Sequence, residues 1–245
     1  MTSASRFRRW LERIGLISVL LAGCTGLSGA ALRTERMAAW HRTMVCISEN
    51  SPQTDISTYT NTGSQPINRN SLVKIAPMSE TSGEGLLPAV VRDLVVRDLP
   101  GSVEAEFTMA EARVNVRVTP LFVGREAGEW EGAVCYRVTA VPAMPIVLGF
   151  GDGGAAAWGP SPQLARHDLL PLRDLFLDTD LARFSAGPES LRVAVSGSGA
   201  FVRGGQGESA EFLSMRFDHG EGTILLAYAD TASRADDLAR ASVDR

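Results

Sequence analysis

Lysine is almost missing from this chain of 245 residues: Lys74 stands alone, and the other 23 of the 24 basic side chains are arginine. That bias reads as codon usage and carries no chemistry. Histidine is scarce as well. His41, His167 and His219 are the whole supply of imidazole, which narrows the choice of general bases and metal ligands. The three cysteines include no CxxC pair, so a closed thiolate metal site has no local frame. There is no G-x-S-x-G elbow, and Ser196-Gly-Ser198-Gly reads better as a turn. Asp174, Asp178 and Asp180 are acidic neighbours without the spacing of a calcium loop.

An excess of positive charge is missing too. The net charge is −4, and residues 1–23 hold Arg6, Arg8, Arg9 and Arg13 against Glu12 alone. Without that segment the balance is 20 basic to 27 acidic side chains. Such a body has no electrostatic reason to seek phosphates, so nucleic acid is not an expected partner. Hydrophobic residues at 44% and charged residues at 21% are ordinary for a globular fold.

What is present begins at the N-terminus. A positive stretch ending at Arg13, an apolar run Ile14 to Ala22, and small residues before Cys24 have the layout of a secretory signal. Leu21-Ala22-Gly23-Cys24 resembles the lipobox of bacterial lipoproteins, a tenth of the chain with all four positions matched. The resemblance implies cleavage before Cys24, diacylation of its thiol, no retention acid at Thr25, and a lipid-anchored protein facing outside the cytoplasm. Two other readings stay open. Residues Ile14 to Leu32 are uncharged for 19 positions, close to the ~20 needed to span a bilayer as an uncleaved helix. A plain signal is the third, and Arg8-Arg9-Trp-Leu is a partial match to a twin-arginine signal.

With Cys24 set aside, Cys46 and Cys135 form an even pair in an oxidising compartment, and a disulfide between them is expected. Residues 24–84 read as a tether and polar linker, with Ala30 to Met44 helical and 49 to 72 too polar to bury anything. An α+β extracytoplasmic domain is expected over 85–229, with a possible division near 151–162. Its elements are an amphipathic helix over Gly85 to Pro100 carrying Leu87, Val91, Leu94 and Val95, packed on an antiparallel meander. The alternating runs Val103–Met109, Ala112–Thr119 and Gly132–Val141 supply that meander. Met144 to Gly149 reads as a further strand and Asp168 to Phe184 as a short helix. Two hairpins follow in the C-terminal third, about Ser196–Gly199 and about Asp218 to Gly222, then a polar helix or tail over 230–245.

Candidate chemistry is thin. Asp218, His219 and Glu221 bring three acid/base or ligand groups into one turn, although a turn selects Asp and Gly for backbone reasons alone. His167-Asp168 fits a helix start, and His41 a surface position beside the anchor. Gly149-Phe-Gly151-Asp-Gly-Gly154 matches a dinucleotide fingerprint in letters, but Ala155 to Pro160 breaks the helix it needs. No metal and no cofactor is expected. The expected function is binding or envelope assembly, with an envelope protein or small ligand as partner. An extracytoplasmic hydrolase using Asp218, His219 and Glu221 is the alternative, and a single-pass member of a larger complex the third.

Overall fold

The computed structural model describes residues 31–38, 41–48, 51–62, 65–81, 85–123, 131–152, 169–187, 190–205 and 211–241. Among these the chain is overwhelmingly strand, with one helix. The first sheet holds β1 (Ala31–Ala38), β2 (His41–Ser48), β3 (Ser51–Thr62), β4 (Gln65–Thr81), β10 (Ile146–Asp152), β15 (Glu211–Phe217) and β14 (Ala200–Gly205), in that order. The short β5 (Gly85–Pro88) hangs on β4. The second sheet runs β11 (Arg173–Leu177), β12 (Ala182–Ala186), β13 (Leu191–Gly197), β16 (Glu221–Ala229), β9 (Gly132–Val141), β8 (Ala112–Val123), β7 (Ser102–Met109) and β6 (Val91–Leu99). Every pairing is antiparallel.

Period-two alternation makes the meander as its letters require. Val103, Ala105, Phe107 and Met109 of β7 point inward, as do Val134, Tyr136, Val138 and Ala140 of β9. They meet Val73 and Ile75 of β4, Ile146, Leu148 and Phe150 of β10, and Leu213, Met215 and Phe217 of β15 in one hydrophobic cluster. The strands on both sides of 151–162 therefore share a single core between two sheets.

This overturns the α+β expectation: the fold is all-β and sandwich-like. The helix read over Gly85 to Pro100 is β5 and β6. A bulge at Asp93, whose φ is 55°, shifts the register between Arg92 and Val95. One extra residue turns an inward spacing of two into three, so Val91, Leu94 and Val96 imitate helical periodicity. The described parts of Ala30 to Met44 and of the linker read over 49 to 72 belong to β1 to β4. Their Thr, Ile and Tyr content suits a ladder, although hydropathy there is low. The helix expected from Asp168 to Phe184 is β11 and β12, each too short for a helix and paired edge to edge. The C-terminal helix is real as α1 (Ala232–Ala241), started by Thr231, whose Oγ1 accepts the Arg234 N–H at 3.4 Å.

Neither predicted hairpin is one. β13 and β16 pair with each other in the second sheet, while β14 and β15 pair in the first. The four strands make one long two-stranded ribbon folded across both sheets. Between the pairs Gly197–Ile224 and Ala200–Arg216, one side uses two residues and the other seven. Gly220 takes φ 71° on the longer side, where a Cβ would also lie 2.7 Å from the Met144 carbonyl oxygen. The same turn chemistry serves a sheet-to-sheet corner as serves a hairpin.

At the opposite end, Asp152 closes the sandwich. Its Oδ1 accepts the Gly187 N–H at 3.0 Å and its Oδ2 lies 3.1 Å from the Arg173 guanidinium. Arg173 also donates to the Gly187 carbonyl and to Ser190 Oγ, at 3.2 Å for the latter.

Candidate functional site

The recess with the most side-chain chemistry lies on the outer face of the second sheet, between β11, β12, β13 and the start of α1. It encloses about 200 Å³. Alternation places Arg183 and Ser185 of β12 and Arg192 of β13 on this face, while Phe184 and Val193 turn to the core. A bulge in β11 between Arg173 and Phe176, with Asp174 at φ 55°, brings Asp174 and Phe176 to the same side.

Two carboxylate clamps frame the recess. Arg183 Nε donates to both oxygens of Asp236 on α1 at 2.9 Å, and its guanidinium stands 5.5 Å from the centroid of the Phe176 ring. Asp236 raises the arginine's affinity for its proton, chiefly through that hydrogen bond. Asp174 Oδ2 accepts the Ser185 hydroxyl at 2.7 Å and Arg192 Nη1 at 3.2 Å. These contacts, the hydroxyl first, hold its carboxyl below the usual range. Phe176 is 55% exposed above a floor that includes Ala232 and Ala235.

The arrangement offers an aromatic face, methyl groups and guanidinium edges. No imidazole lines it. Ser185, 1% exposed, already points its proton at Asp174 and accepts from Arg192, so it is locked as a strut.

Sequence candidates fall elsewhere. Asp218 and His219 form the exposed corner of the ribbon and Glu221 opens β16 beside them, exposed as well. Asp218 accepts Arg216 Nε at 2.6 Å. Among the described residues no group of three His, Cys, Asp or Glu side chains is placed to hold a metal ion. Asp178 accepts the Thr179 N–H at 2.8 Å within its own turn, and Asp180 is exposed, so only Asp174 of that trio enters the recess. Gly149 and Gly151 lie within β10. A Cβ there would come within 2.7 Å of Met78 and Leu169 respectively, so close packing explains them. Ser198 Oγ accepts the Thr223 N–H at 2.9 Å at the ribbon corner.

Cys135 carries a free thiol, so no bridge to Cys46 is formed in this structure. Cys135 faces outward toward α1, whereas the first sheet, which contains Cys46 in β2, packs on the inward face of β9. Burial pushes the Cys135 thiol up. Cys24, His167 and Asp168 lie outside the described residues, as do the side chains of His41 and Cys46. Phe176, Arg183, Ser185, Arg192 and Asp236 escaped the sequence reading because no local motif joins them. Only Asp174 had been singled out.

No family model matches the chain, and no curated protein matches it. Among solved structures, one carrying the provisional description kojibiose phosphorylase from human microbiome is similar at 9% identity and a TM-score of 0.33. The match covers 88% of this chain and 36% of that one, so this chain spans about a third of that structure's length. At that level of likeness nothing transfers.

Proposed function

We propose that the protein is a lipid-anchored envelope protein that binds a partner or small ligand outside the cytoplasm. The observation that carries the reading is Leu21-Ala22-Gly23-Cys24 behind a basic and then apolar N-terminal stretch. The recess on the second sheet supports binding over turnover: its two carboxylates are each held by a guanidinium, and the Ser185 hydroxyl buried behind Asp174 is committed to that carboxylate. Among the described residues no helix is long and apolar enough to cross a membrane; residues 1–30 lie outside that set.

The test is the intact mass of the protein purified from membranes of the producing cells. A mass of residues 24–245 plus acyl chains is expected. The mass of the uncut chain would remove the lipoprotein reading and turn attention to Ile14–Leu32 as a membrane helix.

A further inference from the structure

Among the described elements, α1 alone takes part in no ladder. Two exposed residues, Asp230 and Thr231, join it to β16. None of its ten residues enters the cluster that fills the sandwich. It lies instead on the outer face of the second sheet, where Ala235 and Ala239 cover Ala133, Ala194, Ala227 and Ala229 in a separate, smaller cluster.

The two clusters are held in different ways. Parting the sandwich would expose valine, leucine, phenylalanine and methionine side chains from both sheets, a large apolar area. To the smaller cluster the helix contributes two alanines and part of Leu238. Little apolar surface therefore opposes its release. The Arg183–Asp236 and Arg234–Glu131 clamps oppose it more, but water reaches both pairs, and the Arg234 side chain is half exposed. Such pairs hold weakly because hydration takes the partner's place. Few buried apolar contacts and wet clamps put α1 at the low-stability end of the molecule.

The helix guards two features. The recess takes one wall from α1, through Ala232, Ala235 and Asp236, and the other from Asp174, Phe176 and Arg192 of the sheet. Cys135 packs against the alanine cluster, partly buried. The sheet wall keeps its order without the helix: Ser185 and Arg192 hold Asp174, and Phe176 stands beside the Arg183 guanidinium.

We infer that α1 is a hinged wall, which swings off the second sheet as a unit about Asp230 and Thr231 while the sandwich stays folded, opening the recess and baring the Cys135 thiol. The break is local because no strand pairing and no residue of the main core is lost when the helix leaves. A ligand touching both walls holds the helix down, so closure and occupancy favour each other. The hinge stands without the membrane anchor; its use in admitting a ligand rests on the binding reading above.

The Cys135 thiol is the reporter. The full chain is treated with iodoacetamide in native buffer and digested with trypsin. Mass spectrometry then follows the peptide from Glu126 to Arg137, whose sole cysteine is Cys135. Glu131→Gln with Asp236→Asn loosens both clamps of α1. Glu104→Gln loosens an ion-pair group on the half of the same sheet that no helix covers. Alkylation of Cys135 is expected to be about tenfold faster in the double variant, and within about twofold of the parent in Glu104→Gln. Equal acceleration in both would mean that the thiol is reached by unfolding of the whole sandwich. No acceleration in the double variant would mean that it is reached with α1 in place. Either result overturns the hinge. The outcome does not depend on acylation, which the intact mass of the same preparation reports separately.

Discussion

Along β9, Ala133 and Cys135 lie under α1, whereas Arg137 and Thr139, on the same face of the same strand, are open to solvent. The contrast extends across the sheet. Ala194, Ala227 and Ala229 form an alanine floor on which Ala235 and Ala239 of the helix are fully buried. Farther along, Arg97, Glu104 and Arg117 stand up as an ion-pair row, with Glu104 accepting Arg117 Nη2 at 2.7 Å and Arg97 Nη1 at 3.3 Å. Side-chain height separates the two halves. Methyl groups let a helix backbone approach closely, while long charged side chains occupy the space a helix would need. Because alanines bury little apolar area, α1 also depends on its two clamps, Arg183–Asp236 and Arg234–Glu131.

The sharpest way to break this contrast is to put one lysine on each half. Ala227→Lys would force a charge beneath the helix, where Ala227 is 0% exposed, and is expected to cost about 3–5 kcal/mol in urea unfolding. Thr139→Lys, on the bare half, should change stability by no more than about 0.5 kcal/mol. Equal effects would show that α1 is not a fixed cover.

A smaller effect is expected from Arg183→Ala. Its side chain is 27% exposed and its partner's 20%, so losing the bidentate clamp should cost about 1–2 kcal/mol. Hydrogen exchange should then quicken in α1 before it changes in β16. Uniform quickening would deny the clamp a local role.

The least effect belongs to the ionic row. Arg117 holds the Glu104 carboxyl below its ordinary value, first through its hydrogen bond. A carboxyl with a depressed folded-state pKa contributes stability that is complete above its unfolded value and fades as pH falls through the folded one. Glu104→Gln should therefore cost about 0.5–1 kcal/mol at pH 7, with the gap to the parent protein closing in acid. A gap that stayed constant with pH would assign the loss to packing.

The two halves were also unequally legible. β7, β8 and β9 alternate cleanly, so their period of two was visible and correct. β6 was misread because the Asp93 bulge counterfeits a helical spacing, which local periodicity cannot distinguish. Of the two hairpin loops expected at Ser196–Gly199 and Asp218 to Gly222, only Ser198–Gly199 and Asp218–Gly220 leave the strands, and neither closes the expected hairpin. Whether a turn joins neighbours in one sheet or crosses to the other depends on pairings with β9, β10 and β15, far away in sequence. The recess shows the same limit. Asp174 meets Ser185 and Arg192, and Arg183 meets Asp236 across 53 positions, with no spacing that announces either clamp.

The folded ribbon also sets the order in which the molecule can be completed. β16 is inserted between β9 and β13, and β15 between β10 and β14. Until residues 211–229 arrive, β9 and β10 each keep an open edge, and β10 is buried at every one of its positions in the finished protein. An emerging chain therefore carries two sticky, unsatisfied borders from the completion of β10 at Asp152 until β15 begins at Glu211. Both are sealed by the last strands to appear, so assembly must be slow and late, governed by contacts between distant parts of the chain.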